Sequence, residues 1–174
     1  MGIFICWRTT RGGFDTLENV SATTYKGTVV GRNSFGAFAN GGNTIPYSNV
    51  ELYIMGLIGI DELDDIQIAI NPQKTTNSGE FTADEIKVLT PNDIVAMHGS
   101  RLPSVSNSQK EFKAITVVIS KKALTKEEQE IIHNDITNFS LTSAPDSSWG
   151  NRYNFWQATQ QKATIAIDVT NQKE

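Results

Sequence analysis

Cysteine occurs once, as Cys6, in a chain of 174 residues. That scarcity excludes an internal disulfide and any multi-cysteine zinc site, although a single thiol does not fix the redox compartment. Histidine is almost as scarce, present only as His98 and His133. Neither is followed by glutamate, so the H-E-x-x-H zinc helix is not encoded here. Basic residues are outnumbered, 15 against 19 acidic, for a net charge of -4. Without a basic footprint, nucleic acid is not an expected partner. No apolar run approaches the roughly 20 residues that cross a bilayer, so no membrane partner is expected either. The opening "MGIFICWRTTRGG" has neither a preceding basic region nor a small-residue cleavage site, and no signal peptide is read in it. Cys6 stands where myristoylation after Met-Gly wants serine or threonine, which removes that reading too. Repeats and low-complexity tracts are also missing.

What remains is a mixed pattern of helices and strands, in a length that suggests one domain able to bury a core without staples. Residues 1–45 read as an irregular N-terminal segment, with the glycine- and asparagine-rich "GRNSFGAFANGGNT" at 31–44 marking loop or short turns. Residues 46–174 read as one α+β subdomain, a small mixed sheet packed with three to four helices. In "PYSNVELYIMGLI", Ser48 and Glu51 form a capping box before an apolar run, and Gly56 or Gly59 can end the helix. Val50, Ile54, Leu57 and Ile58 recur at helical spacing with Leu52, Tyr53 and Met55 beside them. This predicts a buried central helix, with Leu52 and Ile54 in the core and "AITVVI" as the strand it touches.

"IQIAIN" alternates as a strand with one covered face. "FTADEIKVL" reads as a strand made irregular by Asp84 and Glu85. In "TPNDIVAMHG", Thr90 caps, Pro91 takes the first helical position and Gly99 terminates. "FKAITVVIS" is apolar on both faces in its second half, as an interior strand would be. Thr125 and Glu128 make a second capping box, and Ile132, Ile136 and Phe139 stripe the helix that follows. "APDSSWGNR" breaks it, "RYNFWQATQ" predicts a last aromatic helix, and "ATIAIDV" a last strand.

Candidate chemistry is sparse. His98 lies at a predicted helix end, where an imidazole can meet the last carbonyls; ligation or acid/base work with Asp93 and Arg101 is the sharper alternative. Asp93 and His98 stand five apart and share a helical face poorly. "RNSFG" matches only the second half of a nucleophile elbow. Asp61, Glu62, Asp64 and Asp65 offer oxygen ligands without EF-hand spacing, and a solvated turn explains them better. Trp149, Tyr153, Phe155 and Trp156 could form an aromatic platform for a glycan or peptide, against core packing as the simpler role.

Three stretches in order, Tyr47–Leu57, Asp93–Pro103 and Ser108–Phe112, resemble the distal part of bacterial secreted zinc-metallopeptidase-like proteins. The family pattern runs approximately Y-S-x-L-[DE]-L-Y-L-M-G-L, then D-I-I-x-x-H/N-G-x-R-x-P, then S-Q-K-x-F. The resemblance implies a secreted or cell-surface hydrolase whose zinc is held by an upstream H-E-x-x-H helix. That helix is not in this sequence, and Cys6-Trp7 stands where relatives show a histidine-tryptophan pair ahead of the Gly-Gly-Phe at 12–14. The chain is therefore expected to be a truncated C-terminal portion without catalytic or metal residues of its own, zinc entering only in a complete relative. Glu51, Met55, His98 and Arg101 are the site-supporting candidates under this resemblance. Met55 would be a hydrophobic floor by analogy, and Glu51 either a cap or a group approaching the metal. The alternative is a non-catalytic glycan- or protein-binding module using Trp149, Tyr153 and Trp156.

Overall fold

The computed structural model describes residues 3–5, 16–28, 46–150 and 152–168. Cys6, Trp7, the Gly-Gly-Phe at 12–14 and the loop at 31–44 lie outside the described residues. The fold is α+β, and the chain divides into two compact units, residues 1–108 and 109–174. A single domain was the expectation from length. Each unit buries its own apolar groups.

The first unit contains β1 (Ile3–Ile5), β2 (Thr16–Asn19), β3 (Thr24–Thr28), α1 (Asn49–Met55), β4 (Ile66–Ile70), β5 (Gln73–Lys74), β6 (Glu80–Thr82), β7 (Glu85–Leu89) and α2 (Pro91–His98). One sheet has the order β1-β4-β7 and the other β2-β3-β6-β5, every pairing antiparallel. Within the segment read as irregular, β2 and β3 form a hairpin closed by the Val20 amide donating to the Thr24 carbonyl at 2.8 Å.

The β4–β7 ladder is the middle layer, because its side chains alternate between two different coverings. Ile66 opposes Leu89 and Ala69 opposes Ile86 across the ladder. Ile66 and Leu89 are buried against Ile68, Val50 of α1 and Ile94 of α2. Ala69 and Ile86, on the opposite face, join Leu17, Tyr25, Phe81 and Ala83 of the second sheet. Tyr25 and Phe81 are register partners and stack with ring centroids 5.7 Å apart. Helices therefore cover one face of the ladder and a small sheet the other. Burying Ile66 and Leu89 contributes about 1.5–3 kcal/mol each.

α1 begins and ends as its sequence dictates. The Glu51 amide donates to the Ser48 hydroxyl at 3.3 Å, and the Ser48 amide donates to the Glu51 carboxylate at 2.8 Å. Gly56 closes the helix in the left-handed region, φ 78°. The helix is not apolar all round in its packing. Leu52 is fully buried, whereas Ile54 is 69% exposed. A face of α1 points to water, so the expectation of a buried Ile54 is corrected, and the strands beneath the helix are β4 and β7.

The predicted strand across 81–89 is split into β6 and β7 at Ala83 and Asp84, near the irregularity the acidic pair implied. The Asp84 amide reaches the Ile70 carbonyl at 3.0 Å, and Asn71, at φ 50°, donates through its side chain to the Asp84 carboxylate at 2.6 Å.

The second unit contains β8 (Glu111–Ile115), α3 (Lys126–Ser140), the one-turn helix α4 (Phe155–Ala158) and β9 (Thr164–Asp168), with β8 and β9 parallel. Phe112 meets Phe155 edge-on at 5.5 Å, and Phe139 lies 6.2 Å from the same ring. Ile136 and Ala163 are buried. Asn154, fully buried, caps α4 by accepting from the Gln157 amide at 2.8 Å and donates to the carbonyls of Leu141 and Ser143. The interior strand expected through Ser120 stops at Ile115, and the apolar run beyond it faces water.

Leu52→Ala should cost about 2–5 kcal/mol in denaturant unfolding, whereas Ile54→Ala should stay within about 0.5 kcal/mol.

Candidate functional site

The stretches Tyr47–Leu57, Asp93–Pro103 and Ser108–Phe112 meet at one side chain, Arg101. Its Nε donates to the carbonyl of Ile54, in the last turn of α1, at 3.1 Å. Its Nη1 donates to the Ser108 hydroxyl at 2.7 Å and to the Pro103 carbonyl. Ser108 in turn donates to the Ser104 carbonyl at 3.0 Å. The guanidinium thus ties the end of α1 to the loop at 99–108. A cation here also complements the negative end of the helix dipole and occupies a carbonyl that α1 cannot satisfy itself.

Gly56 permits the approach. A Cβ on it would lie 2.3 Å from Arg101 Nη2 and 2.3 Å from Ser108 Oγ, and its φ of 78° is one that L side chains rarely adopt. One residue therefore meets two demands: left-handed termination of α1 and room for the guanidinium.

Glu51 is placed as a cap. One carboxylate oxygen accepts from both the amide and the hydroxyl of Ser48, at 2.8 and 3.1 Å. Beside it, Tyr47 ionises above its ordinary 10.0, first because burial disfavours the phenolate and second because Glu51 repels it. Met55 is half-buried at the end of α1. His98 is exposed at the end of α2. Asp93 does not orient it. Its carboxylate accepts from the Thr90 amide at 2.8 Å and the Thr90 hydroxyl at 2.7 Å, bonds that hold its pKa below the usual range.

Two acids of the acidic turn, Glu62 and Asp64, accept hydrogen bonds. Asp64 accepts from the Asn49 side chain at 2.8 Å, and Glu62 from the Gly59 amide at 3.2 Å. Among the described residues, no three His, Cys, Asp or Glu side chains gather as a metal set.

In the second unit, Trp149, Tyr153 and Trp156 are all half-buried. The Trp149 ring nitrogen donates to Asp135 at 2.7 Å, and the Arg152 guanidinium lies 5.9 Å from the ring centre. Arg152 also approaches Asp135, at 3.8 Å. Trp149 is therefore engaged by its neighbours on its edge and over its ring.

Sequence reasoning named Arg101 without its partners. Gly56, Pro103 and Ser108 lay within the three quoted stretches, which was the available signal for their meeting. Gly56→Ala should destabilise by about 1–3 kcal/mol from its backbone conformation alone, measured by denaturant unfolding. The Tyr47 phenolate, followed by ultraviolet absorbance against Tyr47→Phe, should appear above the ordinary tyrosine range. Its raised pKa contributes stability fully present below the unfolded value and lost as pH rises through the folded one. Glu51→Gln should bring that titration partway back, since burial remains, with little change in thermal stability because glutamine also serves a capping box. Comparison of the chain with protein-family models, with curated proteins and with solved structures finds no match.

Proposed function

We propose that this chain is a framework portion of a secreted or cell-surface metallopeptidase-like protein, without catalytic or metal residues of its own. The observation that supports this most is the Arg101 clasp. Positions shared with the family pattern, namely Gly56, Arg101, Pro103 and Ser108, bond or pack to one another instead of converging on an open site. Glu51 caps α1 in the same way. On this reading the pattern preserves the seat of a helix, and zinc belongs to a separate H-E-x-x-H segment of a complete relative.

A binding module is the second reading, favoured by three half-exposed aromatic side chains, Trp149, Tyr153 and Trp156, within one short stretch. Arg152 and Asp135 already occupy Trp149, which leaves less of that platform for a glycan or peptide.

Calorimetric titration with zinc, alongside a peptide-cleavage assay, tests the framework reading. No stoichiometric tight zinc site and no cleavage are expected from this chain. One tight zinc per chain that disappears in His98→Ala would overturn it. The coding DNA upstream of Met1 tests the relation to peptidases: an in-frame or frameshifted H-E-x-x-H supports it, and none within a domain's length counts against it.

A further inference from the structure

Residues 115–123, which start at the last rung of the β8–β9 ladder, are exposed without interruption. Ile115, Val117 and Ile119 reach 81%, 76% and 94%. Residues 116–125 belong to no helix or strand. Within them stand two adjacent basic residues, Lys121 and Lys122. The Ser120 hydroxyl accepts from the Lys122 amide at 3.4 Å and donates to the Lys122 carbonyl at 2.7 Å. Both bonds are local and lie at the surface, so a binding partner can exchange them for its own.

An endoprotease needs a backbone of this kind. It takes its substrate as an added extended segment, and it acts where main-chain groups are exposed and not held by a helix or sheet. The other basic residues among the described ones stand in backbone or side-chain contacts that hold them. Lys26, Lys74, Lys87 and Lys113 lie within strands, and Lys126 opens α3. The Lys110 carbonyl accepts from the Thr164 amide at 2.9 Å, and the Lys162 amide donates to the Thr159 carbonyl at 3.1 Å. Arg101 is fixed in its clasp, and Arg152 lies against Trp149 and Asp135.

We propose that the Lys121–Lys122 pair is a cleavage site for an endoprotease whose specificity pocket carries a carboxylate, and that the cut chain stays together as two associated fragments. Water adds across the peptide bond after a lysine of the pair, the carbonyl carbon becoming a carboxylate and the nitrogen an amine. The lysine ammonium pairs with the carboxylate of the pocket, as in trypsin. The contacts that hold the second unit survive the cut. β8 remains on one fragment, and α3, α4 and β9 remain on the other. The register from Glu111–Thr164 to Ile115–Asp168 still joins β8 to β9, and Phe112 still meets Phe155 at 5.5 Å. Thr125 and Glu128 both lie beyond the cut, so α3 keeps its capping box. The site uses no residue of the Arg101 clasp, and it stands or fails separately from the framework reading.

Timed digestion of the full chain with trypsin, with the fragments weighed by mass spectrometry, tests the site. Among the basic residues within 46–168, the first cut is expected after Lys121 or Lys122. A first cut in that range at any other lysine or arginine would overturn the proposal. The Lys121→Gln, Lys122→Gln chain, altered only at exposed positions, should lose this cut. Elastase, whose small pocket suits small side chains, should still cut that doubly substituted chain between Thr116 and Ala123. Its failure to do so would show that the segment is not accessible and would sink the proposal. Size exclusion under native conditions should return the trypsin-cut protein as one species holding the two fragments that flank the cut, which separate only in denaturant. Fragments that part without denaturant would contradict the second half of the proposal.

Discussion

The guanidinium of Arg101 sets the end of α1, and much of the first unit depends on where that helix ends. A seven-residue helix is too short to hold itself in water, since nucleation costs more than so few propagation steps return. Its position comes from outside: the Ser48–Glu51 capping box at the start, Val50 against Ile66 and Leu89 in the middle, and Arg101 at the Ile54 carbonyl. Each fixes a different degree of freedom. The cap fixes the first turn, the apolar contact fixes the face, and the arginine fixes the last turn to a loop nearly fifty residues away in sequence.

Local chemistry was the most legible part of this sequence. The boxes Ser48–Glu51 and Thr125–Glu128 form because each needs only residues three apart, and Thr90 caps α2 as read, its reciprocal bond with Asp93 being added by the structure. The box of Asn154 and Gln157 obeys the same rule. Alternation in "IQIAI" located β4, and the break at Asp84 was visible as an acidic pair inside an apolar pattern. Burial was less legible. Ile54 repeats at helical spacing yet faces water, because period says which residues share a face and not whether anything covers that face. "ITVVI" misled in the same manner: β-branched residues mark a strand former, whereas an interior position also requires neighbours on both edges.

The hairpin at 16–28 was hidden for a different reason. Its strands alternate only weakly, and what secures them is the long-range pairing of Tyr25 with Phe81 and the approach of two glycines. The Gly27 amide donates to the Gly79 carbonyl at 2.9 Å, and a Cβ on Gly79 would lie 2.7 Å from the Gly27 carbonyl oxygen. Partners fifty residues apart leave no mark in a local window. The same holds for the clasp, whose members were legible one by one as a glycine stop, an arginine and a serine. Their convergence is a property of the fold.

For function, several polar residues that sequence offered as candidates are engaged in holding structure: Glu51 and Asp93 cap helices, and Arg101 joins α1 to its loop. That distribution is the basis for the framework role proposed for the three stretches that Arg101 joins. The direct test is a double-mutant cycle between Arg101→Met and Ser108→Ala, read by denaturant unfolding. Coupling of about 0.5–3 kcal/mol is expected of two residues sharing one hydrogen-bonded clasp. Single effects that add to within about 0.3–0.5 kcal/mol would contradict it.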